Sequence, residues 1–210
     1  YILRVWTPWL SKGALPSSRA FLDRMPQPDD WRFMELRFLQ ALYERRFDLA
    51  VDTTSPWADR WMRTWVLARP AVLLEAQAWR LAGDRRRAEA AFDASPSLLG
   101  VEVRTNPHDG GLRRSLGIAY AGLGRKADAL REARRALELM PFATGFNTSV
   151  VREDVALIAT MVGESDLAIR ELQTLLSTPA HFSEQLLRLD PRWDPLRADA
   201  RFQQLGRMVE

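Results

Sequence analysis

Apolar residues recur three and four positions apart along nearly the whole chain, and strict apolar–polar alternation persists nowhere. This pattern predicts an all-α protein. The spacing places helices near 2–11, 17–25, 29–44, 46–53, 57–68, 70–82, 84–94, 111–123, 126–139, 149–162, 165–177, 182–188 and 196–208. Asp29, Asp30, Asp84 and Ser149 stand where N-cap or first-turn residues belong, because their oxygens can accept from the orphan N–H groups of a first turn. Pro70 marks a helix start or a kink. The longest break is SPSLLGVEVRTNPHDGG, 95–111, with Pro96, Pro107 and a glycine pair. It reads as an insertion loop between units.

A longer period overlies the helical one. In LGIAYAGLGRKADALREARRALELMP, residues Leu116, Gly117, Tyr120, Gly124, Ala129, Ala133, Ala136 and Pro141 follow a fixed order. The spacing is L-G-x2-Y, a small residue nine positions later, A-x3-A-x2-A, then Pro. Alanines equivalent to Ala129 stand at Ala50, Ala88 and Ala168, and Ala14 starts the series with Ser18, Phe21 and Pro26 at the matching offsets. The intervals are 36, 38, 41 and 39 residues. Gly83, Gly124 and Gly163 precede the alanines, where a residue with φ > 0 closes a helix.

The stretch around Ala129 resembles one tetratricopeptide repeat, a helix–turn–helix unit of about 34 residues. The longer intervals leave room for an extra turn or loop in each unit. The resemblance implies an α–α superhelix, a solenoid forming one domain over 1–210. Its approximate units are 1–28, 29–68, 69–110, 111–148 and 149–180, with capping helices over 181–210. The last stretch, LLRLDPRWDPLRADARFQQLGRMVE, is similar to the C-terminal end of bacterial tetratricopeptide arrays fused to signalling domains. Those domains include winged-helix transcription regulators, kinases and cyclase-like proteins. Leu189-Asp190-Pro191, Trp193-Asp194-Pro195-Leu196, Asp199 and Arg201-Phe202 carry the likeness. It implies a cap in which Trp193, Leu196, Phe202 and Leu205 cover the 165–177 helix, because an end unit otherwise exposes its stacking face. It also implies a bacterial chain that is a fragment, missing an N-terminal effector domain; the start at Tyr1 fits that expectation.

Composition narrows the chemistry. With 210 residues and 47% hydrophobic content the chain can bury a sizeable core. No run of 18 apolar residues exists, so no membrane span is expected within it. The absence of cysteine excludes disulfides, cysteine metal sites and thiol catalysis. The net charge of +3 comes from 28 arginines with Lys12 and Lys126, among 27 acidic residues interspersed with them. The clusters Arg85-Arg86-Arg87 and Arg134-Arg135 read as solvated, partly paired helix faces, with a phosphate-binding surface as the competing reading.

In tetratricopeptide proteins the first helix of each unit lines a concave groove where peptides lie. That register implies inward positions for Arg32, Glu35, Leu39 and Tyr43 in the second unit. The third gives Leu73, Gln77 and Arg80, the fourth Arg114 and Ile118, the fifth Glu153 and Leu157. The lysine and asparagine of the family's peptide-carboxylate clamp are absent from those positions. Arg80 or Arg114 can hold a carboxylate bidentately instead, or can be a paired surface arginine. Trp57, Trp61 and Trp65, four apart, predict a stripe on one helix, for packing or for binding. The histidines, His108 and His181, build no nucleophile–base pair or metal site, and Glu153-Asp154 and Asp29-Asp30 are expected near helix N-termini. No glycine-rich loop matches a phosphate cradle. Neither catalysis, nor a metal, nor a cofactor is expected.

The resemblance therefore implies a scaffold that binds a protein or peptide and regulates an attached effector domain. The alternatives are an RNA-binding helical repeat and a helical enzyme. Glu35 and Glu153 among the inner arginines count against RNA. A cytoplasmic location is expected, or a periplasmic one if a membrane span lies upstream.

Overall fold

The computed structural model describes residues 2–25, 29–64, 67–139, 146–178 and 182–205, with side chains from residue 4 onward except at 146–148. Helical hairpins follow one another along the chain. They are α1 (Ile2–Lys12) with α2 (Leu15–Arg24), α3 (Trp31–Tyr43) with α4 (Phe47–Thr54), and α5 (Val72–Ala82) with α6 (Arg85–Thr105). Then come α7 (Gly110–Gly122) with α8 (Lys126–Leu139), and α9 (Phe146–Met161) with α10 (Ser165–Leu176). The second helix of each of the first four hairpins also packs on the first helix of the next. The result is an all-α helical-repeat superhelix.

Local chemistry sets the hairpin turns. Each is closed by a residue with left-handed backbone: Gly13, Gly83, Gly124 and Gly163 at φ 60°, 82°, 71° and 76°, and Arg45 at φ 58°. Four of the five are glycine, which adopts this conformation without Cβ strain. Arg45 breaks the rule, and its side chain has a distant partner described below. The crossings are set by small residues. Ala50, Ala88, Ala129 and Ala168 are the fourth residues of α4, α6, α8 and α10, each at most 5% exposed. The fourth residue of α2 is Ser18, fully buried, whose hydroxyl donates to the Val5 carbonyl at 2.9 Å. The series thus begins one helical turn after Ala14, which precedes α2. Gly117 lets α7 approach α9: a Cβ there would lie 2.7 Å from Ile158 Cδ1.

Three stretches depart from the sequence expectation. The helix expected over 57–68 is a 3-10 turn, Ser55–Trp57, followed by an antiparallel hairpin of β1 (Trp61–Arg63) and β2 (Ala68–Pro70). Trp61 pairs with Pro70, and Arg63 with Ala68. Pro56 limits helix propagation, and Met62 is buried between the half-buried Trp61 and the exposed Arg63, as successive strand residues on opposite faces can be. Trp57 and Trp61 therefore share no helical stripe, and each has an arginine over its ring, Arg60 and Arg63. Trp65 lies outside the described residues. The loop expected over 95–111 is mostly helix, because α6 runs through Pro96 to Thr105 and buries Leu99 and Val103. Helix α9 starts at Phe146, so Ser149 is a buried interior residue rather than a cap, and Glu153 and Asp154 sit past the second turn. Asp30 and Asp84 do cap their helices, accepting from Arg32 N and Arg87 N at 2.9 Å each.

The C-terminal segment consists of α11 (Glu184–Leu189), a 3-10 stretch (Pro191–Leu196) and α12 (Ala200–Leu205). Trp193, Leu196, Phe202 and Leu205 join the same core as Leu172 and Leu175 of α10, as a cap should. The segment does more than cap. Helix α11 packs on α1, at the other end of the array. Leu186 enters the core of Val5 and Trp9, while Leu187, its neighbour, enters the core of Trp193. Arg45 then clasps Asp194 through two hydrogen bonds of 2.6 and 2.8 Å. The superhelix closes on itself.

Candidate binding cavity

Inside the closed superhelix lies a partly open cavity of about 190 Å³ bordered by the first helices of several units. Helix α1 contributes Trp6, and α3 contributes Trp31, Glu35, Phe38, Leu39 and Tyr43. The β-hairpin supplies Thr64, Leu67 and Arg69, α5 supplies Leu74, α9 supplies Val150, Glu153 and Asp154, and the 3-10 stretch supplies Arg192. Aromatic and aliphatic walls thus surround a set of charges.

Most of these charges are matched. Arg69 donates to Asp154 Oδ2 at 2.6 Å. Arg114 of α7, with no exposed surface, reaches the same oxygen at 2.5 Å and donates to the Val150 carbonyl at 3.1 Å. Arg192 donates to both oxygens of Asp190 and to Glu153 Oε1, the last at 2.7 Å. Burial works against the charge on Arg192, but Asp190 and Glu153 hold its guanidinium well above its ordinary value. Burial pushes Arg114 below its ordinary value, and Asp154 opposes the shift.

Glu35 is the exception. Its carboxyl makes no hydrogen bond or ion pair among the described residues. Burial raises its pKa, Arg69 opposes that, and the nearby Glu153 and Asp154 raise it further. Tyr43, 5% exposed, likewise has a hydroxyl with no hydrogen-bond partner among the described residues. Burial, and then the charge of Asp190, pushes its hydroxyl pKa well up.

The residues expected on the inner face separate into groups. Glu35, Leu39, Tyr43 and Glu153 border the cavity. Arg114 lies behind it and already holds a carboxylate, that of Asp154. Leu73, Gln77, Ile118 and Leu157 are core residues, and the Gln77 amide donates to its own helix at Leu73 O, 3.1 Å away. Arg32 is exposed, paired with Asp30 at 2.9 Å and stacked over Trp31. Arg80 faces a separate open cleft beside Gly83, Arg85 and Phe92, and burial lowers its pKa. Arg69, Asp154 and Arg192 complete the site without having been expected there. Arg69 comes from the hairpin, and Arg192 from the returning segment. Asp154 had a signal, since it neighbours Glu153 on α9.

Other candidates are elsewhere. His108 is exposed before α7, where Asp109 caps the helix by accepting from Leu112 N at 3.0 Å. His181 lies outside the described residues. Among the described residues no three His, Cys, Asp or Glu side chains gather as a metal site. The basic clusters are exposed, and Arg87 and Arg135 pair with Asp84 and Glu138.

No family model matches the chain, and none of the curated proteins matches it significantly. Among solved structures, the crystal structure of a thermophilic TPR protein from Thermus thermophilus superposes with a TM-score of 0.54. The identity is 20%, over 97% of this chain and 96% of that one. The likeness is one of fold: this chain has a TPR-like architecture over nearly its whole length.

Proposed function

We propose that the chain is an interaction scaffold that holds a segment of a protein partner at its central cavity. The observation that carries this reading is the cavity itself, bordered by first helices as the peptide groove of a TPR-like array is, and lined by aromatic walls with unpartnered polar groups. Preformed concave sites with a few convergent polar groups are where ligands bind. The C-terminal likeness to arrays fused to signalling domains supports a second element of the proposal, that occupancy regulates an attached effector domain. An RNA-binding role fits less well, because the arginines at the cavity are consumed by carboxylates and the exposed ones are interleaved with acids. No helix among the described residues is long and apolar enough to cross a membrane.

The test places a photo-crosslinking benzoylphenylalanine at Leu39, on the cavity wall, or at Val101, which is 54% exposed on α6. Irradiation in the source cells is expected to join a protein to the Leu39 position and not to the Val101 position. Crosslinks from Val101 alone, or to nucleic acid, would overturn the proposal.

A further inference from the structure

We infer that the cavity receives a basic side chain, lysine or arginine, projecting from the bound partner. This rests on the reading that the cavity is the binding site. Among the described residues, four carboxylates, Glu35, Glu153, Asp154 and Asp190, meet three guanidiniums, Arg69, Arg114 and Arg192. Asp154 engages Arg69 and Arg114, while Asp190 and Glu153 engage Arg192. An ionised Glu35 is left as one unmatched negative charge facing the space.

A second observation is independent of that charge. Tyr43 is 5% exposed, borders the same cavity, and its hydroxyl has no partner among the described residues. The ionised Glu35 carboxylate only accepts and the Tyr43 hydroxyl can accept as well as donate, so a group that only donates, as ammonium and guanidinium do, satisfies both at once. Trp6 and Trp31 also border the cavity, and an indole ring attracts a cation through its quadrupole; Trp31 already does so with Arg32. Leu39, Leu67 and Leu74 give an aliphatic stem an apolar wall to lie on. The volume, about 190 Å³, has room for one such side chain in place of several waters.

An anionic side chain is disfavoured by the same geometry. The Arg114 side chain has no exposed surface, and Arg69 and Arg192, which do border the cavity, are each already held by carboxylates, Asp154 for the first and Asp190 and Glu153 for the second. An entering carboxylate would meet Glu35 instead. The groups facing Glu35 are Arg69, Glu153, Asp154 and Arg192. A cation added to that set draws the Glu35 proton off, so affinity rises with pH as Glu35 ionises.

The test uses capped pentapeptides, Gly-Gly-X-Gly-Gly, with lysine, arginine, norleucine or glutamate at X. They are titrated into the whole chain, followed by the indole NMR resonances of Trp6 and Trp31. The lysine or arginine peptide should shift both signals and bind about tenfold tighter than norleucine. Glu35→Gln should remove that preference, and Leu39→Trp, which fills the cavity, should remove binding. Leu39→Phe replaces it if circular dichroism shows Leu39→Trp unfolded. The inference is overturned if norleucine or glutamate binds as tightly as lysine, or if Glu35→Gln keeps the preference. In those cases, loss of binding in the filled variant preserves the cavity as the docking site. No shift with any peptide overturns both.

Discussion

At the scale of residues, the interior is organised by who shares a carboxylate with whom. Asp154 serves two buried arginines, so the network is asymmetric. Asp154→Ala removes the carboxylate that both guanidiniums share and should cost about 3–5 kcal/mol in chemical denaturation, as a broken buried pair does. Arg114→Met should cost clearly less, because Asp154 keeps Arg69. Equal costs would show that the two arginines do not share the load. Glu35 behaves in the opposite way. Its folded-state pKa is raised, so the unfolded chain gives up the proton first and ionisation favours unfolding. That penalty is complete above the raised pKa and disappears as pH falls towards the ordinary carboxyl value of 4.5. Glu35→Gln should therefore melt higher than the parent at neutral pH, with the difference vanishing in mild acid. A lower melting point at neutral pH would mean that Glu35 has a stabilising partner.

At the scale of elements, the repeat was the most legible feature, because helix crossings admit so few residue types. Ala129 fills one, with Gly117 opposite it: the Ala129 carbonyl lies 3.4 Å from where a Cβ on Gly117 would stand. Ala129→Trp should overpack this contact and cost about 3 kcal/mol or more, at the top of the usual range for overpacking, read from the denaturant midpoint. A neutral result would place the crossing elsewhere. The long α6 was equally readable in principle. Ala88, Phe92, Ser95, Leu99 and Val103 keep helical spacing across Pro96. The proline removes one hydrogen bond, and burial of Leu99 and Val103 outweighs that loss; local punctuation misled where packing decided. The β-hairpin was harder. Tryptophans four apart satisfy a helix template, and a strand of three residues, Trp61–Arg63, is too short to show an alternating pattern against it. The cavity was half legible for the same reason. Glu35, Tyr43 and Glu153 lie on regular first helices whose register extends from Tyr120. Arg69 and Arg192 arrive on the hairpin and on a returning segment, and no local pattern reports where such segments end in space.

At the scale of the whole molecule, α11 of the C-terminal segment touches α1, the first helix. Deleting 190–210 should uncover Leu172 and Leu175, open the cavity and promote self-association in sedimentation; an unchanged monomer with an unchanged melting point would refute the capping role. The clasp between Arg45 and Asp194 has its own pH limit. Asp194 has a lowered pKa, chiefly through the Arg45 hydrogen bond, so its contribution is present above the ordinary value of 3.8 and is lost as pH falls through the lowered one. Arg45 also holds a left-handed backbone that glycine adopts at every equivalent turn, a strain of about 1 kcal/mol. A linear array of repeats melts from its ends inward, because each unit is supported only by its neighbours. Joining α11 to α1 turns that line into a loop, and a loop has no end from which to fray. Cooperativity is the consequence: the outermost helices should exchange their amide hydrogens nearly as slowly as α7 does. Arg45→Gly eases the turn while releasing the clasp, so it should leave global melting unchanged or higher and yet let α1 and α11 exchange early, restoring the frayed behaviour of an open chain of repeats.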